Sequence, residues 1–239
     1  MRKFLLFLFV LSSLYCYSDE YKRVYLATFP RSGNHWMRKL IEEATGIATC
    51  TVYHARDFYV SGPCGYFLEN GIEGNRRYPS RDEIVVIKTH YPVFKKNKFD
   101  LQPYIKVVRI VRDPVDSLYS LYQMGFMEEQ QSVDDKFLRE FIQHYKQHME
   151  FWDKQKNVYT VRYEDLLDDL KGNFTKIMRE IGYRVTHEDI ERAVKRYPAQ
   201  GSELKHIHRF TLKQLEMIQT ELSEILHKYD YAIFMSEIR

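Results

Sequence analysis

Nine consecutive residues, Thr28-Phe29-Pro30-Arg31-Ser32-Gly33-Asn34-His35-Trp36, have the types and spacing needed to hold an oxyanion. Gly33 lets the backbone approach an anion closely, and Arg31 adds a charged fork suited to phosphate or sulfate oxygens. A nucleoside triphosphate loop would read G-x-x-x-x-G-K-[ST]. Here Gly33 is followed by Asn34, and the loop holds no earlier glycine. Two further polar groups follow apolar runs downstream: Lys88-Thr89-His90, and Arg112-Asp113-Pro114 with Ser120 eight residues after the arginine.

The elements that must position these groups are legible around them. Val24-Tyr25-Leu26-Ala27 predicts a strand before the first loop, and Met37, Leu40, Ile41 and Ala44 predict a helix after it, closed by Gly46. Strand, tight loop and helix in that order aim backbone N–H groups and the positive end of the helix dipole at one point. Ile84-Val85-Val86-Ile87 and Ile105 to Val111 read as strands buried on both faces of a parallel sheet. Asp113 caps the helix that follows, Pro114 suits its first position, and Asp116 complements its dipole. Polar groups thus gather at the C-terminal ends of successive strands, the edge where open α/β sheets bind ligands.

Farther on, 134–153 predicts a long amphipathic helix, Val158-Tyr159-Thr160-Val161 a strand, and Leu166 to Ile181 a helix closed by Gly182. A helix over His187 to Tyr197 follows, and Thr211 with Gln214 forms a capping box for a last helix reaching Lys228. Residues 47–83 are less regular, a long loop with Tyr53, Phe58, Tyr59, Tyr66 and Phe67 as binding-wall candidates. The expected architecture is α/β: a single P-loop-like domain over residues 19–239, with a central, mostly parallel sheet flanked by helices and a helical C-terminal third.

Composition bounds the partners. The 239 residues carry 36 basic and 33 acidic side chains, a net charge of +3, which offers no basic stripe of the kind nucleic acid requires. Arg2 and Lys3, the apolar run Phe4 to Leu14, and small Cys16 and Ser18 read as an export signal over residues 1–18, cut before Asp19. The alternative is an uncleaved anchor, against which the run is short: a transmembrane helix needs roughly 20 apolar residues. Export puts the chain in a secretory lumen or periplasm, with Cys50 and Cys64 either paired or as two free thiols. No Cys/His ligand spacing suggests a metal, and Asn173-Phe174-Thr175 is a lone glycosylation sequon.

The loop pattern T-x-P-[KR]-S-G-x-x-W resembles the 5′-phosphosulfate loop of sulfotransferases that use 3′-phosphoadenosine 5′-phosphosulfate (PAPS). Lys88-Thr89-His90, Arg112-Asp113-Pro114 with Ser120, and Arg162-Tyr163-Glu164-Asp165-Leu166 resemble three further segments of that family, in the same order. The resemblance covers roughly Val24 to Gly182. It implies PAPS as co-substrate, no metal, and in-line sulfuryl transfer to a hydroxyl or amine with His90 as general base and Lys88 and Arg31 supplying positive charge. It implies that Ser32, Gly33, Asn34 and His35 hold the 5′ side, that Arg112 and Ser120 hold the 3′-phosphate, and that Trp36 and Tyr163 enclose adenine. The acceptor is left open among small molecules, glycans and proteins. Arg31 stands where the cytosolic-type enzymes have lysine, and their late R-K-G segment is absent, with Lys205 or Arg209 as its replacement. A P-loop kinase-like phosphotransferase and a non-catalytic nucleotide-binding protein of the same fold are the competing readings. Alone, His90 would read as a structural histidine, Trp36 as core, and His206 and His208 as structural.

Overall fold

Strands that alternate in side-chain direction yet are apolar throughout must be covered on both faces, and this dictates the layering. The computed structural model describes residues 22–53, 59–62, 65–68, 71–94, 105–126, 133–201 and 206–231, with 59–62 and 65–68 described by their backbone. The N-terminal run, Phe58, Cys64 and Lys205 lie outside the described residues, as do the side chains of Tyr59, Tyr66 and Phe67.

The strands are β1 (Lys22–Thr28), β2 (Cys50–Thr51), β3 (Tyr59–Gly62), β4 (Gly65–Leu68), β5 (Ile84–Thr89), β6 (Lys106–Val111) and β7 (Val158–Arg162). They form one sheet in the order β3-β4-β2-β5-β1-β6-β7. β2, β5, β1, β6 and β7 run parallel, and β4 and β3 add an antiparallel edge. The mostly parallel sheet expected above is therefore present.

The helices are α1 (Asn34–Thr45), α2 (Pro114–Phe126), α3 (Asp135–Asp153), α4 (Tyr163–Asp168), α5 (Leu170–Ile181), α6 (His187–Arg196), α7 (Leu212–Glu221) and α8 (Ser223–Lys228). Val24 and Leu26 of β1 pack with Met37, Leu40 and Ile41 of α1 and with Phe174 and Ile177 of α5 on one face. Tyr25 and Ala27 pack toward Trp152 of α3 on the other. A third cluster joins α2, α3, α7 and α8 through Leu118, Tyr145, Leu215 and Ile225.

Three elements differ from expectation. The region read as a long loop contains β2, β3 and β4, and β2 is only two residues long, too short for any periodicity to register. The helix expected from Leu166 starts at Tyr163 and breaks at Asp169, whose carboxylate accepts from Gly172 N–H and caps α5. Leu166, Leu170 and Phe174 face one cluster across the break, so the apolar period ran through it. Leu222, 1 % exposed, hides the α7–α8 break in the same way. Asn173 sits in α5 with its amide donating to Asp165 O at 2.7 Å.

Candidate active site

The first loop is built by buried anchors and by two residues of left-handed backbone. Phe29 is buried edge-on against Tyr145 of α3, ring centres 4.9 Å apart, and Ser32 N–H donates to its carbonyl at 3.2 Å. Arg31 has φ 70° and Gly33 φ 85°. A Cβ on Gly33 would lie 2.8 Å from Cδ2 of Tyr163, so glycine is required by backbone angle and by space.

α1 begins at Asn34 with no side-chain cap, and its first helical bond runs from Met37 N–H to Gly33 O. The N–H groups of its first turn therefore lie outside the helical ladder, at the positive end of the dipole. The Ser32 hydroxyl is fully buried and, among the described residues, has no protein partner. Asn34 donates from Nδ2 to Thr28 Oγ1 at 3.2 Å, while its Oδ1 has no partner. Orphaned buried polar atoms are rare in folded proteins. Their gathering at an uncapped helix start fits an anionic group.

His90 lies one residue past β5. Its Nδ1 is 2.8 Å from Thr28 O. A carbonyl oxygen only accepts, so the proton is on Nδ1 and the lone pair on Nε2. Burial, and then the neighbouring Lys88 charge, pull its pKa down to about 3. Lys88, two residues back on the strand, makes no ion pair among the described residues, and burial followed by the Arg38 charge lowers it to about 8. At neutral pH the pair is a neutral base beside an uncompensated cation.

The third motif is tied to the first. Arg112 donates to Arg31 O at 2.8 Å and to Asp116 Oδ2 at 3.1 Å, and its guanidinium carbon stands 4.6 Å from the Tyr163 ring centre. Arg31 donates from Nε to Ser120 Oγ at 2.9 Å. Arg31, Arg112 and Ser120 are thus one hydrogen-bonded group, which places the Arg31 head beside Ser120. Asp113 caps α2 through Val115 N–H at 2.7 Å, and burial, reinforced by Glu164 and Asp116, pushes its carboxyl up to about 7. Its own N–H donates to Glu164 Oε1 at 3.0 Å, which joins the end of β6 to the segment after β7.

Asn34, Lys88, His90, Arg31, Arg112 and Ser120 share a cleft of about 810 Å³, with Lys39 and Arg196 also on its lining and, among the described residues, no Asp or Glu. His35 lines it too, its pKa lowered by burial and by Arg38, Lys39 and Lys88. Trp36 meets Tyr163 edge-on, ring centres 5.7 Å apart, and donates from Nε1 to Tyr197 O at 3.0 Å.

Against this geometry, the model of the sulfotransferase domain family matches residues 21–225. The chain belongs to that family. It is 25% identical to sulfotransferase 1A1 of Bos taurus over 190 residues, 72% of this chain and 62% of that protein. It is 25% identical to a WSCD family member of Aedes aegypti over 199 residues, 77% and 58% of the two chains. The chain thus spans roughly three fifths of the length of these curated relatives. Among solved structures, mouse sulfotransferase SULT7A1 complexed with PAP aligns with TM-score 0.57 and 19% identity, covering 88% of this chain and 89% of that one. Retinol dehydratase in complex with androsterone and inactive cofactor PAP aligns with TM-score 0.59 and 17% identity, covering 89% and 82%. These two share the fold.

Sequence reasoning missed several cleft residues of this sulfotransferase-family chain. Tyr197, Pro198 and Gln200 line the cleft after α6, and no local pattern marks them. His206, read as structural, reaches Asp116 at 2.8 Å and so braces the carboxylate that holds Arg112. Arg209 stacks on Tyr119 at 5.9 Å.

Proposed function

We propose that the chain transfers the sulfuryl group of PAPS to a hydroxyl or amine of an acceptor, with His90 as general base. One observation carries the reading. A neutral histidine with its lone pair on Nε2, a Lys88 without an ion pair among the described residues, and the uncapped helix start at Asn34 meet in one cleft, whose described lining bears no carboxylate. The PAP bound in the two structural neighbours supports the same co-substrate.

Bound PAPS supplies an activated sulfuryl group. His90 takes the acceptor proton on Nε2 as the acceptor oxygen attacks sulfur. The Lys88 ammonium and the N–H groups at the start of α1 offset negative charge on the departing bridging oxygen. Arg112, held by Asp116, with Ser120 and Arg31 beside it, binds the 3′-phosphate. Trp36 and Tyr163 receive the adenine, and Gly33 keeps the loop close to Tyr163. The acceptor class spans small molecules, glycans and proteins, and the pattern of residues 1–18 supports a secretory or periplasmic site of action.

Calorimetric titration with adenosine 3′,5′-bisphosphate and with 5′-AMP, followed by transfer of labelled sulfate, tests the reading. Binding that requires the 3′-phosphate, and transfer that H90A abolishes, is the expected result. Equal binding of both nucleotides, or magnesium-dependent ATP turnover, would instead favour a phosphotransferase.

A further inference from the structure

His90 follows the last residue of β5, and two elements hold it from opposite sides. From β1, Thr28 O accepts the Nδ1 proton at 2.8 Å. On the other side β2 pairs with β5 only through Cys50↔Ile87 and Thr51↔Lys88, and Val52 N–H donates to Lys88 O at 3.2 Å. Among the described residues the backbone ladder ends at Val52. The His90 N–H would then lack an acceptor, and a side chain supplies one: Tyr53 Oη accepts it at 2.7 Å.

Tyr53 does more than satisfy that donor. Its ring lies nearly parallel to the His90 imidazole, centres 5.9 Å apart and planes inclined by 21°. Phe94 stands at right angles to both, 6.1 Å from Tyr53 and 6.0 Å from His90. All three line the cleft.

We infer that Tyr53 is a positioning residue for His90: its hydroxyl sets the direction in which the chain leaves β5, and its ring covers one face of the imidazole, so that Nε2 is aimed and kept from water. The inference rests on the proposed role of His90 as base. The two functions of Tyr53 separate by substitution, because Tyr53→Phe keeps the ring and removes the acceptor, whereas Tyr53→Ala removes both.

Two readouts follow. The first is independent of any transfer: NMR titration of the His90 ring and hydrogen exchange of its amide in the ligand-free chain. The other groups facing the His90 ring are Lys88 on β5, the Thr28 carbonyl of β1, Arg38 of α1 and His148 of α3, and neither substitution touches them. Y53F is expected to leave the ring titration in place and to accelerate exchange of the His90 amide. Y53A is expected to move the ring titration upward by at least one pH unit, toward the ordinary histidine value of about 6.5, as water reaches the exposed face. The second readout is catalytic. Y53F should lower kcat about tenfold, the equivalent of one hydrogen bond, while affinity for adenosine 3′,5′-bisphosphate stays within about twofold. Y53A should lower kcat further and carry the acid limb of kcat/KM upward with the ring titration.

Unchanged amide exchange and ring titration in both variants would overturn the inference. So would a kcat loss matched by an equal loss of bisphosphate affinity, which marks a general structural role. If the wild-type chain transfers no sulfate, the proposed function falls, and the NMR arm still decides whether Tyr53 holds His90.

Discussion

The two ends of α1 treat buried polar groups in opposite ways. At its C-terminal half Glu42, fully buried, accepts from Thr49 N–H at 2.8 Å, Thr49 Oγ1 at 2.6 Å and Ile72 N–H at 2.8 Å. Arg38, equally enclosed, donates to Thr49 Oγ1 at 2.7 Å. Glu43 gathers Arg76, Arg192 and Arg196 around one carboxylate. The cleft beside this end, about 630 Å³, mixes Lys22, Arg76, Asp82 and Glu83. At the N-terminal end the Ser32 hydroxyl and Asn34 Oδ1 are buried without partners, and Lys88 nearby has no counter-ion among the described residues. Satisfied burial stabilises a fold, whereas unsatisfied burial costs about 1–3 kcal/mol for each group and is retained where a ligand supplies the missing partner. The first end of α1 leaves Ser32 and Asn34 oxygens open, whereas at the second the Glu42 and Glu43 carboxylates are paired.

The sharpest way to break this contrast is at the base. His90→Ala should lower sulfuryl transfer by about 10²–10⁴-fold while leaving adenosine 3′,5′-bisphosphate affinity unchanged, measured by single-turnover assay and calorimetry. At that second end the opposite pattern is expected. Glu42→Ala strands three buried donors and should cost about 3 kcal/mol in denaturant unfolding, with transfer per folded molecule little altered. A fully active, equally stable E42A would erase the distinction between the two ends.

Arg112→Ala removes a charged partner of the cleft and should weaken the bisphosphate by about ten- to a hundredfold while 5′-AMP binds as before. Loss of both nucleotides alike would mean that Arg112 supports the loop through Arg31 O and Tyr163 rather than reading the 3′-phosphate.

The smallest effect concerns pH. Lys88 is charged below about 8 and loses its proton as pH rises through that value, so kcat/KM should decline on the alkaline side near pH 8. His90 stays neutral down to about 3, so no acid limb should appear near 6.5. Lys88→Met should abolish the alkaline limb. In stability the His90 sign runs the other way from that of a salt-bridged histidine. Below about 6.5 the unfolded chain takes a proton that the folded chain refuses, so unfolding free energy falls as pH drops from 6.5 toward 3.

Much of the site was legible because its signals are local. Asp113, Pro114 and Asp116 announced a helix start, and Asp113 does cap α2. Met37, Leu40, Ile41 and Ala44 are buried, and Gly46 closes α1 at φ 70°. Tyr53 was a wall candidate only, since nothing in its neighbourhood points to a residue 37 positions away. Tyr197 and His206 carried no signal, as their partners Trp36 and Asp116 lie 161 and 90 residues distant. The helix breaks at Asp169 and Leu222 were hidden because both sides of each break bury apolar residues in one cluster.

The sequence by itself determined the strand, loop and helix around Gly33 and the order of the polar strand ends. These depend on backbone angles, caps, dipoles and side-chain periods, all set within a few residues. Only the tertiary structure decided which His90 nitrogen carries the proton, which cations go unpaired, and which face of the imidazole is covered. Those properties come from neighbours in the parallel sheet, and parallel strands meet only after long crossovers, so the carbonyl of Thr28 and the hydroxyl of Tyr53 reach His90 through the fold alone.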